Sequence, residues 1–158
     1  MDLEGSCYCG AVRFRVFAHA PVPYLRCYCS ICRKTGGGGG FAVNLGAKAE
    51  TLEVEGEDKI AIFHATIEGE PSPAERRFCT LCGSALWAWD PRWPELVHPF
   101  ASAIDTPLPE PPEQVHIMLA SKAPWVRLDL AEGDARYESY PPQSLEDWHR
   151  AHVLLRDT

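Results

Sequence analysis

The sequence predicts a mainly β domain, clamped by zinc and closed by one short C-terminal helix. Three observations carry this reading. Apolar and polar residues alternate in short runs, as in Val12, Phe14 and Val16 against Arg13 and Arg15, which is the period of a half-buried strand. Seven cysteines divide into two distant pairs and a triplet, a pattern that suits metal ligands better than disulfides. At the C-terminal end Ser144-Leu145-Glu146-Asp147 resembles a capping box, and Leu145, Trp148, His152 and Leu155 recur at helical spacing, so a helix is expected over about 144–155.

At 158 residues the chain is expected to form one domain, 1–158, with its core over about 5–141, long enough to bury that core without disulfides. The net charge of −7 repels phosphate backbones, and Lys and Arg are scattered apart from Arg33-Lys34 and Arg76-Arg77, so nucleic acid is not an expected partner. No run approaches the ~20 apolar residues of a membrane span, and the N-terminus is acidic, so no membrane partner is expected either. A reducing cytoplasm follows as the expected compartment, where an odd number of clustered cysteines points to metal or catalysis.

Taken in order, Cys7 and Cys9 precede the first strand, over 12–17. Side chains two apart on an extended chain stand roughly 6.5 Å apart, too wide for one tetrahedron, so Gly10 is expected to supply a bend. Pro21 and Pro23 break the chain before Tyr24-Leu25-Arg26-Cys27, a short strand that delivers Cys27, Cys29 and Cys32 into a turn or first helical turn. Arg33 and Lys34 stand where they could balance the charge of three thiolates, or simply be solvated. The glycines at 36–40, Gly37 and Gly38 foremost, read either as a ligand-accessible loop with bare N–H groups or as a flexible linker, and a strand is expected over 41–43. Runs at 51–55 and 59–64 flank Gly56-Glu57-Asp58 and suggest a hairpin, with a loop over 65–75.

Arg76-Arg77-Phe78 leads into Cys79-Thr80-Leu81-Cys82-Gly83, whose glycine suits the positive φ of a metal knuckle. The βαβ context of a redox Cys-x-x-Cys is missing. Strands are expected over 85–89, 96–103 and 115–118, with Trp125 and 136–140 completing the β pattern. The six histidines show no metal-binding spacing; His64 and His98 qualify as proton shuttles only if they approach an open metal. Ligand counting then divides the sulfurs. Cys7, Cys9, Cys79 and Cys82 would close a structural zinc, while Cys27, Cys29 and Cys32 would leave a fourth position open.

With these pieces in view, the chain resembles the glutathione-dependent formaldehyde-activating enzyme family, which also includes the centromere protein V group. The resemblance rests on Gly5-Ser6-Cys7-Tyr8-Cys9-Gly10-Ala11-Val12-Arg13-Phe14, on Cys27 to Lys34 and on Phe78-Cys79-Thr80-Leu81-Cys82-Gly83-Ser84. It continues in Ile104-Asp105, His116-Ile117 and Lys122-Ala123-Pro124-Trp125. It implies a β-tent-type sandwich of antiparallel sheets, a structural zinc on Cys7, Cys9, Cys79 and Cys82, and a labile or catalytic zinc on Cys27, Cys29 and Cys32. The pentaglycine run and the terminal helix depart from the family pattern.

The activity implied is that of a carbon–sulfur lyase, a synthase of S-hydroxymethylglutathione, with glutathione or a related thiol and a small aldehyde as partners. Arg33, Lys34, Gly37 and Gly38 are the expected substrate contacts, Cys27, Cys29 and Cys32 the catalytic centre, and a homo-oligomer is allowed. Two other classes compete: a zinc-stabilised module that binds a thiol or a protein without turnover, and a sensor whose triplet releases zinc on oxidation.

Overall fold

The structure, a computed structural model, describes residues 1–36 and 38–152. In chain order the strands are β1 (Asp2–Ser6), β2 (Arg13–Phe17) and β3 (Tyr24–Cys27), then helix α1 (Ser30–Gly36), then β4 (Ala42–Asn44), β5 (Ala47–Lys48), β6 (Glu53–Glu55) and β7 (Ile60–Phe63). They continue as β8 (Thr66–Ile67), β9 (Glu70–Pro71), β10 (Glu75–Cys79), β11 (Ala85–Trp89), β12 (Leu96–Pro99), β13 (Gln114–Ile117) and β14 (Ala135–Arg136), before helix α2 (Leu145–Ala151).

The chain is mainly β, as its patterning predicts. One antiparallel sheet has the order β1-β2-β6 and a second the order β5-β12-β11-β10-β7. Leu3, Val12, Phe14 and Val16 from the first side and Leu86, Trp87 and Val97 from the second form the main core, with Phe14 edge-on to Trp87 at 5.0 Å. Strand β1 carries little apolar signal, since its only large apolar residue is Leu3. It exists because it pairs along the whole of β2, from Asp2 opposite Phe17 to Ser6 opposite Arg13. Gly5 lets the Phe14 ring in, because a Cβ there would stand 2.3 Å from Phe14 Cζ.

A third sheet, β14-β13-β3-β4, lies over a smaller core of Cys27, Cys32, Ala42, Phe100, Val115 and Ile117. It is mixed rather than purely antiparallel: β13 runs parallel to both β3 and β14. Parallel neighbours require crossover connections, and β13 reaches β3 only after the chain has built the second sheet. This placement puts Ile117 beside Cys27.

Several expectations are corrected. The runs flanking 56–58 form no hairpin: β6 pairs with β2, and β7 with β10 in the other sheet. Gly56 is left-handed (φ 79) and lies so close to Ala11 that a Cβ would sit 2.0 Å from its carbonyl oxygen; a 3-10 turn at Glu57–Lys59 follows and sends the two runs apart. The loop at 65–75 contains the hairpin β8-β9, turned by Glu68 (φ 50) and Gly69 (φ 81), the two positive φ values a type I′ turn demands. The strand expected over 96–103 stops at Pro99 and passes into a 3-10 turn at Ala101–Ala103. Trp125 is exposed in a turn rather than in a strand.

At the C-terminal end Ser144 caps the helix, and the Asp147 side chain turns back to the Ser144 hydroxyl rather than to its backbone N–H. Ser144 Oγ accepts from Asp147 N at 3.1 Å and donates to Asp147 Oδ2 at 2.8 Å. Trp148 and His149 bury themselves, and Trp148 Nε1 donates to Glu113 Oε1 at 2.9 Å. The described helix runs to Ala151 with His152 at its C-cap; the expected positions 153–155, Leu155 among them, lie outside the described residues.

Candidate metal centres

Two tight turns assemble the first cysteine group. Cys7 follows β1, and Gly10 N donates to Cys7 O at 3.0 Å with Gly10 left-handed (φ 77), the bend that lets Cys9 come back toward Cys7. Cys79 ends β10, where Gly83 (φ 76) donates to Cys79 O at 2.8 Å and closes the second knuckle. The sulfurs of Cys7 and Cys9 stand 3.5 Å apart and those of Cys9 and Cys79 3.8 Å apart; all four sulfurs of the group lie within 4.8 Å of one another. Four sulfurs at about 2.3 Å from one zinc stand roughly 3.8 Å apart, so the spacing fits the ion.

Backbone N–H groups already point at these sulfurs. Val12 N donates to Cys7 Sγ at 3.2 Å and Leu81 N to Cys79 Sγ at 3.4 Å. Burial works against ionisation of Cys7, but the Val12 N–H and the neighbouring thiols outweigh it and lower its pKa. Ser84 and the backbone of Cys9 lower that of Cys82 to about 5. The chain entering Cys7 is pinned from outside, Ser6 Oγ donating to Asp105 Oδ2 at 2.6 Å.

The second group is local. Cys27 ends β3, and Cys32 lies in the first turn of α1, where its N–H donates to Cys29 Sγ at 3.3 Å. The three sulfurs lie within 4.8 Å of one another; Cys27 and Cys32 are buried and Cys29 is half-open. Contacts with Cys27 and Cys32 hold the Cys29 thiol far below its usual range, and the contact with Cys29 pushes Cys27 up. Of the three, the most accessible sulfur is therefore the one that most readily carries negative charge. Among the described residues no histidine joins either group.

The cation that meets this charge is Arg76, on β10. Its Nη2 donates to Cys32 Sγ at 3.5 Å and its Nη1 to Thr35 Oγ1 at 3.3 Å. The sequence gives no warning of this, because Arg76 lies 44 residues from Cys32. Arg33 and Lys34 instead fall in the last turn of α1, Lys34 exposed, where cations complement the helix C-terminus.

A cleft of about 370 Å³ opens beside Arg76, lined by Thr35, Phe63, Arg77, Phe78 and Phe100 among others. A larger cleft, about 650 Å³, lies along β1, β2 and β6 and is lined by none of the cysteines. Of the glycine run, Gly37 lies outside the described residues and Gly38 is exposed with open space around it. Gly40 is different. It is buried and left-handed (φ 95), and a Cβ there would sit 2.1 Å from Val126 Cγ2, so it is a packing requirement rather than slack. The two candidate shuttles are engaged elsewhere, His64 Nδ1 3.0 Å from Ser72 O and His98 Nδ1 3.0 Å from Leu45 O.

Comparison with known proteins places the chain among relatives over most of its length. A Halomonas elongata protein, whose name assigns it provisionally to the glutathione-dependent formaldehyde-activating enzymes, is 59% identical over 149 residues, 94% of this chain and 95% of that one. A crystal structure of a Rhodobacter sphaeroides protein, 24% identical, aligns with a TM-score of 0.52 over 69% of this chain and 92% of that one, a likeness of fold. The model of the glutathione-dependent formaldehyde-activating enzymes matches residues 2–121, and the chain belongs to that family.

Proposed function

We propose that the chain forms and cleaves the carbon–sulfur bond between a thiol, glutathione or a near relative, and formaldehyde, giving S-hydroxymethylglutathione. The observation that carries this reading is the trio Cys27, Cys29 and Cys32, whose sulfurs converge, whose outer member Cys29 is half-open, and whose Cys32 meets Arg76, a residue that lines a neighbouring cleft. Soft thiolate donors suit zinc, and three of them leave a place for one more donor. Cys7, Cys9, Cys79 and Cys82 would hold a second, structural zinc. A zinc ion in the trio supplies Lewis acidity, which keeps a substrate thiol in its nucleophilic form at neutral pH.

The chain's own residues supply the rest. Arg76 offsets the negative charge of the thiolates and presents a guanidinium to a carboxylate of a glutathione-like thiol, while the guanidinium of Arg77 is paired with Glu75 at 2.9 Å. Phe63, Phe78 and Phe100 give that cleft apolar walls. In the forward step a sulfur–carbon bond forms, the carbonyl π pair moves to oxygen, and the proton lost from the thiol ends on that oxygen. Holding the thiol and the aldehyde together contributes mainly through proximity.

The test is the rate of S-hydroxymethylglutathione formation above the spontaneous reaction, with Cys29→Ser as the comparison. Wild type should exceed background and Cys29→Ser should not. Equal rates, with glutathione still bound, would instead favour the non-catalytic module.

A further inference from the structure

Tyr28, the residue between Cys27 and Cys29, is buried together with His116 and Asp134, and the three are joined. The hydroxyl of Tyr28 lies 2.7 Å from His116 Nδ1, and His116 Nε2 lies 3.3 Å from Asp134 Oδ2. A carboxylate can only accept, so the His116 proton sits on Nε2 and Nδ1 receives the Tyr28 hydroxyl proton. Asp134 is itself fixed, because Gln114 N donates to Oδ1 and Ala131 N to Oδ2, both at 3.0 Å. Burial keeps His116 neutral by lowering its pKa. The Tyr28 ring also packs near Phe41, 5.2 Å between centroids, and lies nearly parallel to the His116 ring at 5.7 Å.

β3 ends at Cys27 and the chain bends at Cys29. Tyr28 packs in one cluster with Ala123 and Val126, while Cys27, Cys29 and Cys32 pack in another, so anchoring the Tyr28 side chain on its own side fixes the short segment from which the two neighbouring sulfurs converge on Cys32. The backbone tie is consistent: Tyr28 N donates to Ile117 O at 3.1 Å, one residue beyond His116 on β13.

We propose that Tyr28, His116 and Asp134 act as positioning residues for the cysteine trio, holding Cys27 and Cys29 in ligand geometry before any ion arrives. This rests on the reading of the trio as a metal site. A thiol trio without such support would have to be ordered by the ion itself, at a cost in affinity. Supporting groups of this kind typically change metal affinity by 10–100-fold.

The test is metal retention, site by site. Wild-type protein, Tyr28→Phe and Asp134→Asn are loaded with zinc and titrated with a chromophoric chelator, then loaded with cobalt(II) and followed by thiolate-to-cobalt absorption. Tyr28→Phe keeps the ring and removes only the hydroxyl; Asp134→Asn sets an amide where donors converge. Both should lose the weaker-held ion at least tenfold more readily and lose its cobalt band, while the ion of the four-sulfur centre stays. Phe41→Leu, which loosens the same packing without touching the relay, should lose much less. Affinity within twofold of wild type in both variants, or an equal loss in Phe41→Leu, overturns the inference. Wild-type protein that takes up one ion per chain overturns the metal reading of the trio, and the inference with it, before any variant is made.

Discussion

The four-sulfur centre and the three-sulfur centre are built by opposite means. In the first, ligands come from two segments some 70 residues apart, each a glycine-closed turn, and two of the four sulfur-bearing residues are exposed. In the second, one strand end, the bend after it and the first turn of α1 supply the three sulfurs within six residues, and two of the three are buried. A centre that ties distant segments stabilises the fold in proportion to what it holds together. A centre assembled locally adds little cross-linking, and its geometry is free to serve a ligand. Strand β10 joins the two, since it ends in Cys79 at one centre and presents Arg76 to the other.

The largest effect should come from breaking the four-sulfur centre. Cys79 is fully buried, and Cys79→Ser would leave a hydroxyl among three thiols in a site whose closure contributes folding free energy directly. Loss of soluble folded protein is expected, checked by expression yield and circular dichroism. A Cys79→Ser protein with an unchanged melting temperature would erase the distinction between the centres. Progressive chelation provides the second break: the first ion should leave without change in the circular dichroism and the second only with unfolding. Simultaneous loss of both would mean that the trio also carries the fold.

How much of this was legible in the sequence follows from the same contrast. The sulfurs could be partitioned because each ligand pair or trio is contiguous, and because Gly10 and Gly83 announce the turns that aim them. The cysteine spacing could not reveal Arg76, which reaches Cys32 only through the pairing of β10 with its neighbours. The mixed sheet was equally hidden: four residues of β13 look alike whether they pair parallel or antiparallel, and only the long return of the chain beside β3 decides. The hairpin expected around 56–58 failed for a related reason, since local alternation fixes a strand but not its partner.

A smaller effect is expected at Arg76. Arg76→Met keeps the length of the side chain and removes the guanidinium that donates to Cys32 Sγ and Thr35 Oγ1. A hydrogen bond to a charged group contributes about 1.5–3 kcal/mol, so the trio should hold its ion roughly tenfold or more weakly while the melting temperature of the four-sulfur centre stays put. Chelator competition reads the first quantity and thermal denaturation the second. If both moved together, β10 would be transmitting stability between the centres rather than supplying a charge to one of them.

Two glycines of the run that follows α1 should respond differently to substitution. Gly40→Ala introduces a Cβ 2.1 Å from Val126 Cγ2 at a φ of 95. Overpacking and a left-handed non-glycine residue each cost about 1–3 kcal/mol, so a loss of about 2–4 kcal/mol is expected in denaturant melts. Gly38→Ala meets open space and should change stability by under ~1 kcal/mol, with a slight gain from the stiffer unfolded chain. Measured against adduct formation the order should reverse if the exposed part of the run admits substrate to the trio. Gly38→Ala would then slow turnover at unchanged stability, whereas Gly40→Ala would lose stability first and activity only with it. Equal kinetics for Gly38→Ala and wild type would reduce the exposed glycines to a connection, leaving Gly40 as the member of the run whose chemistry the fold requires.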